Sequence, residues 1–159
     1  MKITVEIADF KVTKDSDSVI TTLNLGSCVG IALYDPNRKI AGLAHIMLPD
    51  STNALDNSNP AKFADSALAL MLQEMTKLGA NKAALQAKIA GGAQMFFSPA
   101  GPASRIGQRN ADTTSRLLRL YGIPILGQDV GLNYARTVEL YSKDGSVVIK
   151  TAGRADKAI

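Results

Sequence analysis

Residues 28–48 read CVGIALYDPNRKIAGLAHIML. Two apolar runs, Cys28 to Tyr34 and Lys39 to Leu48, flank the polar segment Asp35-Pro36-Asn37-Arg38. Proline at the second position of a four-residue turn has its φ already set for the turn, so the stretch reads as an antiparallel hairpin. Taking Asp35 to Arg38 as the loop fixes a register. Val29, Ile31 and Leu33 then share a face with Ala44, Gly42 and Ile40, while Cys28, Gly30 and Ala32 share the other face with His45, Leu43 and Ala41. In that register Cys28 lies directly opposite His45, and opposed side chains have Cβ atoms about 4.5–5.5 Å apart. A slip of one residue would send the two side chains to opposite faces.

Upstream, Ile3, Val5 and Ile7 alternate with polar residues as a half-buried strand does, and Phe10 to Val12 reads as its continuation. Val19 to Leu25 is a second strand region. Downstream, Pro49 to Asn59 lacks periodicity and is expected to be an exposed loop. A helix follows, with Asn59 as its cap and Pro60 in its first turn. Ala64, Ala67, Leu68, Met71, Leu72, Met75 and Leu78 fall on one side of it, and Gly79 ends it. Leu85 to Ala90 reads as a short strand interrupted by Gly91-Gly92, and Phe96 to Pro102 as a loop. Asn110 is a candidate cap for a second helix with Leu117, Leu118 and Tyr121 inward and Gly122 as its stop. Ile123 to Leu126 reads as a buried strand. Tyr134 to Tyr141 and Val147 to Lys150 flank Asp144-Gly145, a hairpin signal. Residues 152–159 read as a loose tail. The expected fold class is α+β: layered, mostly antiparallel β-sheets with two amphipathic helices covering one sheet, in a single domain over residues 1–159.

Composition narrows the function. The chain of 159 residues carries a formal net charge of +4, with its basic residues dispersed. It has no Trp, four Tyr and four Phe, which leaves few platforms for base stacking, so nucleic-acid binding is not expected. No run of about 18 apolar residues exists, so no membrane insertion is expected. The start of the chain lacks a secretory pattern and the single cysteine cannot form an internal disulfide, which together fit a cytoplasmic protein. No cofactor or metal is expected. A Cys–His metal site would need Asp35 or Asp50 to complete it, and no ligand-spacing motif is present.

The lone cysteine and the lone histidine are the candidate chemistry. An imidazole within reach of a thiol can take its proton, producing a thiolate–imidazolium pair, and return that proton to a leaving amine. Gly26-Ser27 permits close backbone approach ahead of Cys28, whose amide is a candidate oxyanion donor. The residues alone leave a second reading open: a small buried hydrophobe beside a core histidine.

The run Thr22-Leu23-Asn24-Leu25-Gly26-Ser27-Cys28 and the run Ala44-His45-Ile46-Met47-Leu48-Pro49 resemble those of the chemoreceptor glutamine deamidases of the CheD family. Lys62 to Asp65, Lys88 to Ala93, Gly107 to Asn110, and Asp129 through Gly131 to Arg136 extend the resemblance over most of the chain. The resemblance implies catalytic roles for Cys28, His45 and Thr22. It also implies a fold similar to the deamidase domain of cytotoxic necrotizing factor-type toxins. The implied substrate is a set of glutamine side chains on the cytoplasmic helices of chemotaxis receptors, with methyl-ester hydrolysis as a side activity. The implied partner is the CheC-type response-regulator phosphatase. Gly131-Leu132 departs from the family's two glycines, and a turn needing positive φ at the second position would be strained here. A non-enzymatic adaptor and a thiol redox switch are the competing functions.

Overall fold

A computed structural model describes residues 1–52, 54–95 and 105–159. Its strands are β1 (Lys2–Val5), β2 (Asp9–Thr13), β3 (Val19–Leu25), β4 (Val29–Asp35), β5 (Ile40–Ile46), β6 (Gln86–Gly91), β7 (Ile125–Val130), β8 (Arg136–Tyr141), β9 (Val147–Lys150) and β10 (Lys157–Ala158). The two α-helices are α1 (Ala64–Lys77) and α2 (Ile106–Leu120). The strands form two five-stranded sheets, in the orders β1-β3-β8-β9-β10 and β2-β5-β4-β6-β7. Among these strands the β1–β3 and β6–β7 pairings are parallel and the others antiparallel.

Two apolar clusters show how the layers stack. Val5, Ile20, Leu25, Val138 and Leu140 of the first sheet meet Ala32, Tyr34, Ala41 and Leu43 of the second. On the other face of the second sheet, Val29, Ile31, Leu33, Ala44 and Ile46 pack against Leu68, Met71 and Met75 of α1 and Leu118 of α2. The second sheet is therefore the middle of three layers, which is why every residue of β4 and β5 is buried. The layered α+β arrangement and the helices over one sheet agree with the sequence reading.

Several boundaries differ. β1 and β2 are not one strand: Ala8 takes a φ of 58° and the chain crosses between sheets, β1 pairing with β3 and β2 with β5. Asn59 caps a single 3-10 turn, its side chain accepting from the Ala61 amide. Phe63 is extended and almost fully buried, and α1 starts only after it. Asn110 caps nothing, because α2 begins at Ile106 and Asn110 lies in its interior. β7 is an edge strand with Leu126 exposed, not a buried one. The tail is ordered: β10 pairs with β9, and Ile159 sits where a Cβ on Gly127 would lie 3.3 Å from its own Cβ. The expected loop from Phe96 to Pro102 lies outside the described residues.

The hairpin register shifts by two residues. The buried Asp35 side chain accepts from the amides of Asn37, Arg38 and Asn81. Lys39 adopts a φ of 55° and its amide bonds the Asp35 carbonyl at 2.8 Å. The loop is thus residues 36–39, Asp35 pairs with Ile40, and His45 stands opposite Gly30 rather than Cys28. Because strand side chains alternate with a period of two, a two-residue shift keeps Cys28 and His45 on the same face, now as diagonal neighbours.

Leu132 has a φ of 61° and is 64% exposed. The strain expected at this turn is present, and a left-handed conformation costs a side-chain-bearing residue about 1–2 kcal/mol. We expect Leu132→Gly to raise the unfolding free energy by about 1 kcal/mol, after allowing for the greater freedom of unfolded glycine. Urea titration of both proteins checks this; an unchanged or lowered midpoint would refute it.

Candidate active site

Thr22 and His45 meet between the sheets, and Cys28 stands on the same face just ahead of β4. Thr22 is on β3, just before a bulge that separates its pairing with Val138 from that of Leu25 with Arg136. His45 is on β5 and fully buried. Cys28 is half-buried, immediately ahead of β4, and packs against the same inter-sheet cluster. Gly30, opposite His45, carries no side chain, and a Cβ there would lie 3.0 Å from Leu25 Cδ1.

The hydrogen bonds decide the imidazole tautomer. Thr22 Oγ1 lies 2.8 Å from the Val5 carbonyl oxygen and 2.7 Å from His45 Nδ1. A carbonyl can only accept, so the single hydroxyl proton goes to Val5 and the oxygen accepts from Nδ1–H. Nε2 then carries the lone pair, and it has no hydrogen-bond partner among the described residues. The Cys28 thiol does not bond it in this conformation. Catalytic contacts of this kind often tighten only when substrate is bound.

Burial also sets the resting charges. It pushes the Cys28 thiol above its ordinary range, against a smaller opposing pull from the residue's own amide. It lowers His45 from 6.5 to about 4. At neutral pH the two groups therefore rest as thiol and imidazole, not as the ion pair that proximity alone suggests. A consequence for stability follows. Folded His45 binds its proton far less readily than unfolded histidine, so its contribution is fully present above pH 6.5 and is lost as pH falls toward 4. The loss is about 3 kcal/mol, at about 1.36 kcal/mol per pH unit. Urea unfolding at pH 7 and pH 4.5 should show this component in the native protein and not in His45→Gln. Equal pH dependence in both would refute it.

The backbone leading into β4 is tightly held. The Gly26 carbonyl accepts from the Ala93 amide and the Cys28 carbonyl from the Gly92 amide, each at 2.8 Å. Ser27's carbonyl accepts from Asn110 Nδ2 at 2.9 Å. Side chains are excluded at two points of this contact. A Cβ on Gly91, whose φ is 107°, would lie 2.2 Å from the Cys28 oxygen, and one on Gly107 would lie 2.3 Å from the Ala93 oxygen. The segments Lys88 to Ala93 and Gly107 to Asn110, distant in sequence, thus pack on the cysteine loop.

A family model described as CheD chemotactic sensory transduction matches residues 47–151, a span that begins just after His45. A protein of Caldanaerobacter subterraneus subsp. tengcongensis named "Probable chemoreceptor glutamine deamidase CheD" is 52% identical over 98% of this chain and 96% of its own length. The chain belongs to the CheD family. Two further proteins of the same printed name, from Lachnoclostridium phytofermentans and Clostridium novyi, are each 50% identical over 99% of this chain and 98% of theirs. Beyond the family, the fold is similar to two solved structures. One is the hypothetical protein YfiH of Bacillus licheniformis, with a TM-score of 0.52 and 17% identity over 79% of this chain. This chain spans about half of that structure, 51% of its length. The other is the Neisseria meningitidis protein NMB0706 of the DUF152 family, with a TM-score of 0.53 and 9% identity over 91% of this chain and 70% of that one. Neither is described as a toxin-type deamidase.

Asn110, read from the sequence as a helix cap, instead lies inside α2 with its amide on the Ser27 and Met47 carbonyls. Its signals were the family-like run Gly107 to Asn110 and a polar residue inside a helical apolar pattern, and local propensity favours reading such a residue as a cap. No helix among the described residues is long and apolar enough to cross a membrane.

Proposed function

We propose that this protein is a chemoreceptor glutamine deamidase, a single catalytic domain over residues 1–159 that uses Cys28, His45 and Thr22. The observation that carries the reading is the 2.7 Å contact between Thr22 Oγ1 and His45 Nδ1, which leaves Nε2 free on the face shared with Cys28.

In the proposed reaction a receptor glutamine approaches Cys28. The thiol proton passes to His45 Nε2 as Sγ attacks the side-chain carbonyl carbon, because neither group is charged at rest. The carbonyl oxygen becomes an oxyanion held by backbone amides. The imidazolium returns its proton to the departing nitrogen, ammonia leaves, and a thioester remains. Water then attacks the thioester with Nε2 as base, releasing glutamate and restoring the thiol. Thr22 holds the ring in its Nδ1–H form throughout. As a neutral hydroxyl it stabilises the imidazolium less than a carboxylate would.

The printed names of the full-length relatives support the substrate class. Cytoplasmic receptor helices as the substrate, methyl-ester hydrolysis as a side activity, and a CheC-type phosphatase as a partner complete the proposal. The experiment is incubation with a receptor cytoplasmic fragment, with glutamine-to-glutamate conversion mapped by mass spectrometry. Binding without conversion would replace the proposal with the adaptor reading.

A further inference from the structure

We propose that Asn110 is a positioning residue that aims the Cys28 amide as an oxyanion donor, an inference that rests on the deamidase reading above. Asn110 is fully buried, and its Nδ2 donates to the Ser27 carbonyl and to the Met47 carbonyl, each at 2.9 Å. These carbonyls lie one residue before Cys28 and two after His45, so one amide group ties the nucleophile's approach to the exit of the histidine strand. The assignment of the amide is fixed by chemistry: its oxygen in that position would face two acceptors.

The bond to Ser27 has a directional consequence. The Ser27 carbonyl and the Cys28 N–H belong to one planar trans peptide and point in opposite directions. Holding the oxygen against Asn110 therefore turns the N–H away from α2. That N–H belongs to the same residue as Sγ. An oxyanion formed on a carbon bonded to Sγ would develop within reach of the same N–H. The flanking carbonyls of Gly26 and Cys28 are held as well, so the peptide has no freedom to flip.

Helix stability does not account for the residue. Asparagine is a poor helix former, and Asn110 Oδ1 is buried without a hydrogen-bond partner among the described residues. An unsatisfied buried acceptor is destabilising.

The test compares two reactions of Cys28 in the full chain. Acylation by p-nitrophenyl acetate passes through a tetrahedral oxyanion; alkylation by iodoacetamide does not. In Asn110→Asp and Asn110→Ser, the acylation-to-alkylation rate ratio should fall ~100-fold, the size of one lost oxyanion donor. Receptor-fragment deamidation should fall in kcat by a similar factor, with KM changed less than about 3-fold. The serine variant guards against failure of the aspartate to fold. An unchanged ratio in either folded variant, or acylation and alkylation falling in parallel, overturns the proposal. Because the ratio uses no receptor, a native protein that acylates normally but converts no glutamine would refute the deamidase reading instead.

Discussion

Cys28→Ala is expected to lower deamidation of a receptor cytoplasmic fragment by ~10⁴-fold or more while leaving the fold intact. The two effects separate because of where the residue sits. Its side chain is half-buried, on irregular backbone ahead of β4, and that backbone is held through carbonyls rather than through the thiol. Removing one sulfur should change the unfolding free energy by about 1 kcal/mol or less. His45→Ala should lose a comparable amount of activity, and the double variant little more than either single one, since nucleophile and base act as a unit. Thr22→Val is the milder member of the series. It keeps the shape but leaves Nδ1–H without its acceptor, and should cost about 10-fold in kcat. Initial rates by mass spectrometry, with circular dichroism and urea midpoints for each variant, supply the readout. Conversion that persists in Cys28→Ala would sink the mechanism. A loss that tracks unfolding across all three variants would sink it equally.

The sequence carried the pieces of this site further than their arrangement. Period-two alternation through β4 and β5 put Cys28 and His45 on one face, and that survived a two-residue error in register because the face depends only on parity. The error came from Asp35 and Lys39. A carboxylate that binds three amides and a lysine at positive φ move the loop by one position at each end. Neither effect has a signature in local propensity. The split of the N-terminal strand at Ala8 was equally hidden, since the apolar alternation runs on across it while the backbone changes sheets. Long-range polar contacts were the least legible. Asn110 looked like a cap because its partners, Ser27 and Met47, lie 83 and 63 residues away. Asp129 through Arg136 was visible only as a family-like segment, not as an ion pair.

That ion pair is the basis of the largest loss of stability we expect from a single substitution at neutral pH. Arg136 is 1% exposed, and its Nε lies 3.3 Å from Asp129 Oδ2. Otherwise Nη1 bonds the Gly131 carbonyl at 2.9 Å and reaches those of Gly91 and Tyr134 at 3.4 and 3.5 Å, the guanidinium carbon lies 4.5 Å from the centre of the Tyr134 ring, and Nη2 has no hydrogen-bond partner among the described residues. Asp129→Asn would keep the shape and remove the only carboxylate paired with this cation among the described residues. A buried charge left without its counter-charge costs about 3–5 kcal/mol. Urea unfolding at pH 7 should show a loss near the lower end, about 3 kcal/mol, because the carbonyls still solvate one edge of the ring. Lys157, 3.8 Å from the other carboxylate oxygen with a side chain 61% exposed, offers a contrast. Lys157→Ala should change stability by about 0.5 kcal/mol or less, since water screens the exposed partner. Combining Asp129→Asn with Arg136→Met should recover most of the loss by removing the stranded cation along with its partner. A single Asp129→Asn costing less than about 1 kcal/mol would show that the carbonyls and the Tyr134 ring carry the charge without the carboxylate. The pair also bears on activity. Gly131's amide bonds the Gly91 carbonyl, and the next amide, that of Gly92, holds the Cys28 carbonyl. Loss of the carboxylate should therefore lower kcat in the folded fraction as well, whereas a purely structural defect would leave the activity per folded molecule unchanged.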